Sequence, residues 1–298
     1  MRSLEEVRNA KVHLSYLNLP PDKSRQLDIN LLAVVDQLRP QVVFFLPTIE
    51  EGYTNPSPAF FTYVRRKLKL PVVHFFADLA KPFWRSISEQ MADFSDLAVS
   101  TEGSSFSYSG PDNSRTMAGW TPAPSFAESP LEKDINVSLI GTLGPYYPYR
   151  QEAIDFLRNA GVKVTTGGGY NENYSESQDT YFDKLRRSKI VLNFSQAGNN
   201  ILGSDGRAVH HVKGRVFEAI ACNALLLESK NEVTSRWLKP SVEFVEFGSN
   251  ADLLSKISHY ITHHEERLAI AKNGHQRYLK DYAPQLFWDR VFNELSGV

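Results

Sequence analysis

The sequence has little cysteine, almost no net charge and no long apolar segment. Cys222 is the single cysteine in 298 residues, which excludes an internal disulfide framework and a cysteine-based zinc site and fits a reducing compartment. The formal net charge at pH 7 is -1, so the strong basic footprint of a dedicated nucleic-acid-binding protein is missing. The longest apolar runs, such as residues 42–46, are too short to cross a bilayer, and the first ten residues lack a signal-peptide core. We therefore expect a cytoplasmic protein with no integral membrane segment.

The chain also lacks the unit of strand, Gly-x-Gly-x-x-Gly and helix that binds dinucleotides. Its nearest approach is the glycine triplet at 167–169, which has no helical pattern immediately behind it. A Rossmann-type oxidoreductase is therefore excluded as an interpretation.

Short apolar or aromatic runs alternate along the chain with segments of helical periodicity. Predicted strands are residues 42–46, 72–76, 97–100, 137–140, 163–165, 190–194, 224–227 and 244–247. Predicted helices are residues 27–38, 59–68, 83–94, 150–160, 180–188, 252–261, 264–282 and 285–295. This alternation is typical of βαβ units and parallel sheets, so the predicted class is α/β.

Glycine, proline and serine cluster between residues 103 and 133, where no strong periodicity survives. This composition predicts a linker between two domains of ordinary size. Near the carboxyl end, Pro284 should break the helical pattern because it lacks an N–H. The predicted organisation is therefore residues 1–126, residues 127–282 and a terminal helix at 283–298.

The segment 201–227 carries the most chemical information. A polar, glycine-containing loop leads into a short apolar helix that should end near Asn223, and a buried strand follows. Lys213, Gly214 and Arg215 lie where a helix begins, which is a favourable seat for a diphosphate. Glu218, one turn further, is a candidate for hydrogen bonds to a ribose. From spacing alone, solvated surface charges are an equally good interpretation.

Residues 215–227, R-V-F-E-A-I-A-C-N-A-L-L-L, resemble the R-x-F-E-A-x-A-C-G-x-x-L-L block of the group-1 glycosyltransferases, particularly the spore-maturation CgeB-like branch. Four other segments are similar to blocks of the same family and occur in the order that the family shows: 134–142, 185–194, 242–252 and 264–274. The resemblance implies the GT-B fold, with two Rossmann-like domains facing a cleft, a terminal helix returning toward the first domain and a nucleotide sugar held mainly by the second.

The resemblance also implies the residues of the donor site. Gly141 and Thr142 would let the backbone approach the phosphates, Lys213 and Arg215 would balance the leaving diphosphate during catalysis, and Glu218 would hold the ribose. The complete implied donor-binding set is Gly141, Thr142, Asn193, Ser195, His210, Lys213, Gly214, Arg215, Phe217 and Glu218. Tyr146 to Tyr149, on the loop after Gly141, add aromatic faces for a sugar or base.

Two positions depart from the wider family pattern. Many group-1 enzymes have a second glutamate eight residues before the position of Glu218, and this chain has His210 there. His210 or its neighbour His211 would contact the sugar or a phosphate, or would be solvated surface. The usual glycine after Ala-Cys is Asn223, which tolerates the left-handed conformation at a helix end.

Asp78 is the candidate general base. It follows the strand predicted at 72–76, where a carboxylate would be able to deprotonate an acceptor hydroxyl. A capping role for the helix near Pro82 is an equally good interpretation, and Glu50 and Glu51 are comparable candidates.

The resemblance thus predicts transfer of a sugar from a nucleoside diphosphate, such as UDP, to a hydroxyl of a glycan, small molecule or modified macromolecule. No Asp-x-Asp metal clamp occurs in the chain, so we expect activity without metal and without a resident cofactor. An inactive GT-B-shaped nucleotide-sugar-binding or scaffold protein is the alternative. Such a protein would lose the cation pair, and Lys213 and Arg215 are present.

Overall fold

The computed structural model describes residues 4, 5, 8, 11, 12, 23–47, 55–77, 79, 82–101, 115–168, 177–203 and 205–296. The chain divides into two compact units. The amino-terminal unit comprises Ala10–Trp120 and Trp288–Val298, and the carboxyl-terminal unit comprises Thr121–Phe287 with Met1–Asn9. Each unit has its own parallel sheet.

The sheet of the amino-terminal unit has four parallel strands in sequence order. They are β1 (Val43–Phe45), β2 (Val72–Phe76), β3 (Leu97–Ser100) and β4 (Arg115–Ala118). The helices between them are α1 (Ser24–Leu38), α2 (Pro58–Arg66) and α3 (Pro82–Ala92). Residues such as Phe61, Val64 and Val72 are fully buried, because the apolar faces of helices and strands must cover one another.

The sheet of the carboxyl-terminal unit has five parallel strands in the order β6-β5-β7-β8-β9. The strands are β5 (Ile135–Ile140), β6 (Val164–Gly167), β7 (Ser188–Asn193), β8 (Leu225–Ser229) and β9 (Val245–Phe247). The helices are α4 (Pro148–Asn159), α5 (Gln178–Arg187), α6 (Gly214–Ala221), α7 (Asn250–Thr262) and α8 (His264–Asp281). The order reverses direction between β5 and β7, and such a switch point is where open α/β sheets bind ligands.

The predicted linker is wrong over part of its length. β4 lies inside residues 103–133 and pairs with β3 in parallel, and a short 3-10 helix forms at Ser125–Glu128. β4 is only four residues long and has few β-branched residues, so its pairing with β3 rather than its own propensity makes it a strand.

The terminal helix α9 (Pro284–Ser296) begins at the expected proline. Trp288 is buried and contacts Phe44 and Phe75 edge to face, at centroid distances of 5.7 and 5.9 Å. Arg290 donates a hydrogen bond to the carbonyl of Ala118 at 3.1 Å. The expected return of this helix to the first sheet is thereby confirmed. Within the described part of the chain, no helix combines the length and the apolar character that a membrane crossing requires.

The end of α6 confirms the prediction made for Asn223. This residue has a φ of 51°, in the left-handed region. Its N–H bonds to the carbonyl of Ile220, and the N–H of Ala224 bonds to the carbonyl of Ala219, both at 3.1 Å. These paired bonds are the Schellman arrangement that closes a helix end, and they direct the chain into β8.

Candidate functional site

The predicted donor residues come together at the carboxyl edge of the second sheet. Gly141 directly follows β5, Asn193 is the last residue of β7, and Ser229 is the last residue of β8. α6 begins at Gly214 after the long loop that leaves β7. Because parallel strands end at one edge, residues far apart in sequence meet at the switch point between β5 and β7.

Arg215 lies at the centre of this edge. Its Nη1 donates a hydrogen bond to Oδ1 of Asn193 at 2.9 Å. A Cβ added at Gly141 would lie 2.7 Å from Cζ of Arg215 and closer still to Nη2, so only glycine leaves room for the guanidinium here. Nε of Arg215 is buried and, among the described residues, has no hydrogen-bond partner.

A buried carboxylate that the sequence did not suggest lies beneath Arg215. Glu228, in β8, is fully buried and accepts a hydrogen bond from Nδ2 of Asn193 at 2.5 Å. Its other oxygen accepts from the hydroxyl of Ser229 at 3.2 Å. Burial raises the pKa of Glu228 to about 7, against the opposing effects of these hydrogen bonds and of the nearby Arg215 and Lys213.

Arg150 connects the loops that follow the two strands of the switch point. Its guanidinium is buried, and it donates to the carbonyls of Thr142 at 3.0 Å and Phe194 at 3.4 Å. The ring centroid of Tyr147 lies 3.9 Å from its Cζ, a cation–π distance. Burial and the neighbouring Arg215 lower the pKa of Arg150 to about 10. Thr142 thus contributes its backbone carbonyl oxygen, which accepts a hydrogen bond from Arg150.

Lys213 precedes the first residue of α6 and adds a third cation. Its Nζ contacts Nε2 of His211 and lies 5.7 Å from the centroid of Tyr147. The ring of Tyr147 therefore faces two cations, whereas Tyr146 is 77% exposed. The aromatic segment after Gly141 does lie at this edge, with Tyr147 as its innermost member.

His210 is partly buried and has a hydrogen-bond partner. Its Nδ1 lies 2.8 Å from Oγ of Ser195, because the loop folds back on itself through an antiparallel bridge between Gln196 and His210. Burial, followed by the nearby His211 and Lys213, lowers the pKa of His210, which favours the neutral imidazole. Contact of this histidine with a sugar or a phosphate stays a prediction.

Glu218 lies one turn into α6, as its position in the motif predicts. The hydroxyl of Tyr181, in α5, donates to Oε2 of Glu218 at 2.5 Å. Burial raises the pKa of this carboxyl, while the hydrogen bond from Tyr181 and the charge of Arg215 oppose the rise. Tyr181 is a second site residue that the sequence did not suggest.

Phe217 does not belong with the donor-binding residues. It is fully buried and packs edge to face against Trp237 and Tyr282, at centroid distances of 5.6 and 5.0 Å. Successive residues of a helix point about 100° apart, so the neighbour of Glu218 faces the core. Gly214 lies close to the Thr121 side chain, 3.3 Å from where a Cβ would lie. Asp78, Glu50 and Glu51 lie outside the described residues.

Together these groups form a seat for an anion. Three cationic side chains and the start of α6 converge on one sheet edge, where the helix end adds partial positive charge. The adjacent carboxylate of Glu218 offers an acceptor for hydroxyl groups. A phosphate linked to a sugar has both of the matching chemical features.

Comparisons with known proteins bear on the family and on the fold. Residues 150–292 match the family model described as glycosyl transferase-like. The fold is similar to HepE from Anabaena in complex with UDP-glucose, with 12% identity, 100% of this chain and 89% of that chain covered, and a TM-score of 0.61. It is also similar to a glycosyltransferase from Rickettsia africae (8% identity, 97% and 86% covered, TM-score 0.54).

A sucrose-phosphate synthase from Thermosynechococcus elongatus is a third structural neighbour, with 11% identity, 96% of this chain and 82% of that chain covered, and a TM-score of 0.54. A search of curated protein sequences gave no match. Two parallel-sheet α/β domains with these neighbours make the fold GT-B. The family match and the fold together support a glycosyltransferase.

Proposed function

We propose that this protein transfers a sugar from a nucleoside diphosphate to a hydroxyl acceptor, without a metal ion and without a resident cofactor. The observation that carries the proposal is the placement of Arg215. It lies between Gly141 and Asn193 at the sheet's switch point, with Lys213 beside it. The loss of a glycosidic bond leaves charge on the departing diphosphate, and cations fixed where that charge develops lower the barrier.

UDP is the nucleotide that we propose. A structural neighbour binds UDP-glucose and UDP, and the sequence block at 215–227 supports the CgeB-like branch of the group-1 glycosyltransferases. In this assignment Glu218, oriented by Tyr181, accepts hydrogen bonds from the ribose. Asp78 remains our proposal for the general base, to be tested by Asp78→Asn, which is expected to reduce kcat and leave UDP affinity unchanged.

The binding step is tested by thermal stabilisation with a panel of nucleoside diphosphates. A ligand present at 100 times its Kd stabilises the folded state by roughly 2.7 kcal/mol, which is readily measured as a rise in Tm. Arg215→Ala is expected to abolish the rise. Arg207→Ala is the matched control, because the Arg207 side chain is 88% exposed on the same loop. A Tm that no nucleoside diphosphate changes would contradict the proposal.

The transfer step is tested separately by mass spectrometry of the protein incubated with a panel of sugar nucleotides and acceptors. We expect release of UDP together with a hexosyl or pentosyl product, or slow hydrolysis of the donor where the acceptor is missing. Binding without any turnover across the panel would instead favour the alternative, a nucleotide-sugar-binding scaffold.

A further inference from the structure

We propose that Glu228 is a positioning residue that fixes the side-chain amide of Asn193 and, through it, the guanidinium of Arg215. The inference rests on the proposed function, because Arg215 is the group that would meet the diphosphate. Glu228 itself is fully buried and would touch no substrate. Its role would be to determine which way an intervening amide faces.

The argument begins with the register of two neighbouring strands. Asn193 and Glu228 are directly paired across β7 and β8, so their side chains point to the same face of the sheet. Nδ2 of Asn193 donates to Oε2 of Glu228 at 2.5 Å, and Oδ1 accepts from Nη1 of Arg215 at 2.9 Å. The amide thus links a buried carboxylate to the guanidinium.

Hydrogen-bond chemistry allows one orientation of this amide. An ionised carboxylate only accepts hydrogen bonds and a guanidinium only donates them. The NH₂ group of Asn193 must therefore face Glu228, and its oxygen must face Arg215. Without the carboxylate, the amide would be free to turn its NH₂ group toward the guanidinium, and two donors would then oppose each other.

The same carboxylate also supports the loop that carries His210. The Ser229 hydroxyl donates to Oε1 of Glu228, and the N–H of Ser195 donates to that hydroxyl, both at 3.2 Å. The Ser195 side chain in turn contacts His210 at 2.8 Å. Hydrogen bonds therefore connect Glu228 both to Arg215, through Asn193, and to His210, through Ser229 and Ser195.

Protonation of Glu228 would make UDP affinity depend on pH, which a purely structural role of the residue would not do. Burial places the pKa of Glu228 near 7, and a protonated carboxyl would itself be able to donate to Oδ1 of Asn193 and allow the amide to turn. Three cationic groups lie near Glu228: Arg215 of α6, Lys213 just before it and Arg150 of α4. Glu246 is paired with Glu228 on β9, and His210 is connected to it through Ser229 and Ser195. UDP affinity should therefore decrease as the pH falls from 8 to 6.

The experiment measures the Kd of UDP by isothermal titration calorimetry for Glu228→Leu and Glu228→Gln, each alone and combined with Arg215→Ala. At pH 8, Glu228→Leu is expected to weaken UDP binding by about tenfold, the effect of losing one hydrogen bond to a charged group. Glu228→Gln keeps an acceptor for Asn193 and should bind within about threefold of wild type. Combined with Arg215→Ala, Glu228→Leu should have no additional effect, because both changes remove the same contact.

Glu246→Leu is the matched control, since Glu246 is the in-register neighbour on β9 and is only partly buried. It should leave the Kd unchanged. The β-phosphate of UDP titrates in every variant, so the decrease in affinity between pH 8 and pH 6 should be smaller in Glu228→Gln than in wild type by the part due to Glu228. If Glu228→Leu does not fold, this difference between pH profiles decides the question.

Three results would overturn the inference. These are an unchanged Kd in Glu228→Leu, fully additive effects of the Glu228 and Arg215 changes, or identical pH profiles of wild type and Glu228→Gln. Wild-type protein that binds no nucleoside diphosphate would contradict the proposed function instead. The relay would then be tested by the NMR signals of the Asn193 amide and the Arg215 Nε–H, which should shift in Glu228→Gln and not in Glu246→Leu. Unshifted signals in Glu228→Gln would refute it.

Discussion

Gly141→Ala is the substitution that most directly uses the geometry of the site. The new Cβ would lie 2.7 Å from Cζ of Arg215 and overlap the end of the guanidinium, so the side chain must move. The φ of Gly141 is 159°, in the range that residues with a side chain rarely adopt, so alanine there also strains the backbone. We therefore expect the change to displace Arg215 from Asn193 and to strain the backbone after β5, while the protein still folds.

The expected magnitudes differ for folding and for binding. The free energy of unfolding should fall by about 2–4 kcal/mol, the sum of one lost hydrogen bond and the backbone strain of alanine at this φ. A hydrogen bond to a charged group contributes roughly 1.5–3 kcal/mol, and 1.4 kcal/mol corresponds to a tenfold change in Kd. UDP binding should therefore weaken about 10- to 100-fold.

Calorimetric titration with UDP and urea denaturation measure these two effects in the same preparation. Gly248→Ala is the control, because a Cβ there would meet no described atom within 4 Å. In the Arg215→Ala background, Gly141→Ala should cause little further loss, whereas additive losses would mean that the new methyl group blocks the donor itself. An unchanged Kd in folded Gly141→Ala would refute the assignment of Arg215 to the diphosphate.

Three further predictions concern stability and metal dependence. Lys133→Met should lower the free energy of unfolding by about 2–4 kcal/mol, because Nζ donates to the carbonyls of Arg186, Ser188 and Cys222 at 2.9–3.0 Å. Urea denaturation measures this loss, and an effect under 1 kcal/mol would contradict the prediction. Asn223→Ala should cost about 1 kcal/mol in the same assay, since alanine is disfavoured at a φ of 51°, and a gain in stability would be inconsistent with the cap. Sugar transfer should persist in EDTA; loss of activity that manganese restores would show that the metal-free site is wrong.

The fold was largely predictable because its strands are continuous apolar runs. The predicted bounds of β2 and β3 coincide with the observed ones, Val72–Phe76 and Leu97–Ser100. Strands buried on both faces are hydrophobic along their length, which makes them easy to find in a sequence. β4 was missed because its four residues owe their conformation to pairing with β3.

The candidate site was predictable where its residues are local and not where they are brought together by the sheet. Lys213, Arg215 and Glu218 lie within one helix start and were found from that pattern. Glu228 is 35 residues from its partner Asn193, and Tyr181 is 37 residues from Glu218, so neither pairing leaves a local signal. Phe217 was included because it belongs to the motif. The motif does not indicate which face of the helix a residue lies on, and Phe217 lies on the face that packs against the core.

The most direct test of the central claim is a crystal structure of the protein with UDP bound. We expect the diphosphate within hydrogen-bonding distance of Arg215 and Lys213, next to the backbone of Gly141, and the ribose hydroxyl groups at Glu218. An ordered UDP bound elsewhere, with the Arg215 guanidinium still on Asn193 and no phosphate beside it, would contradict the account.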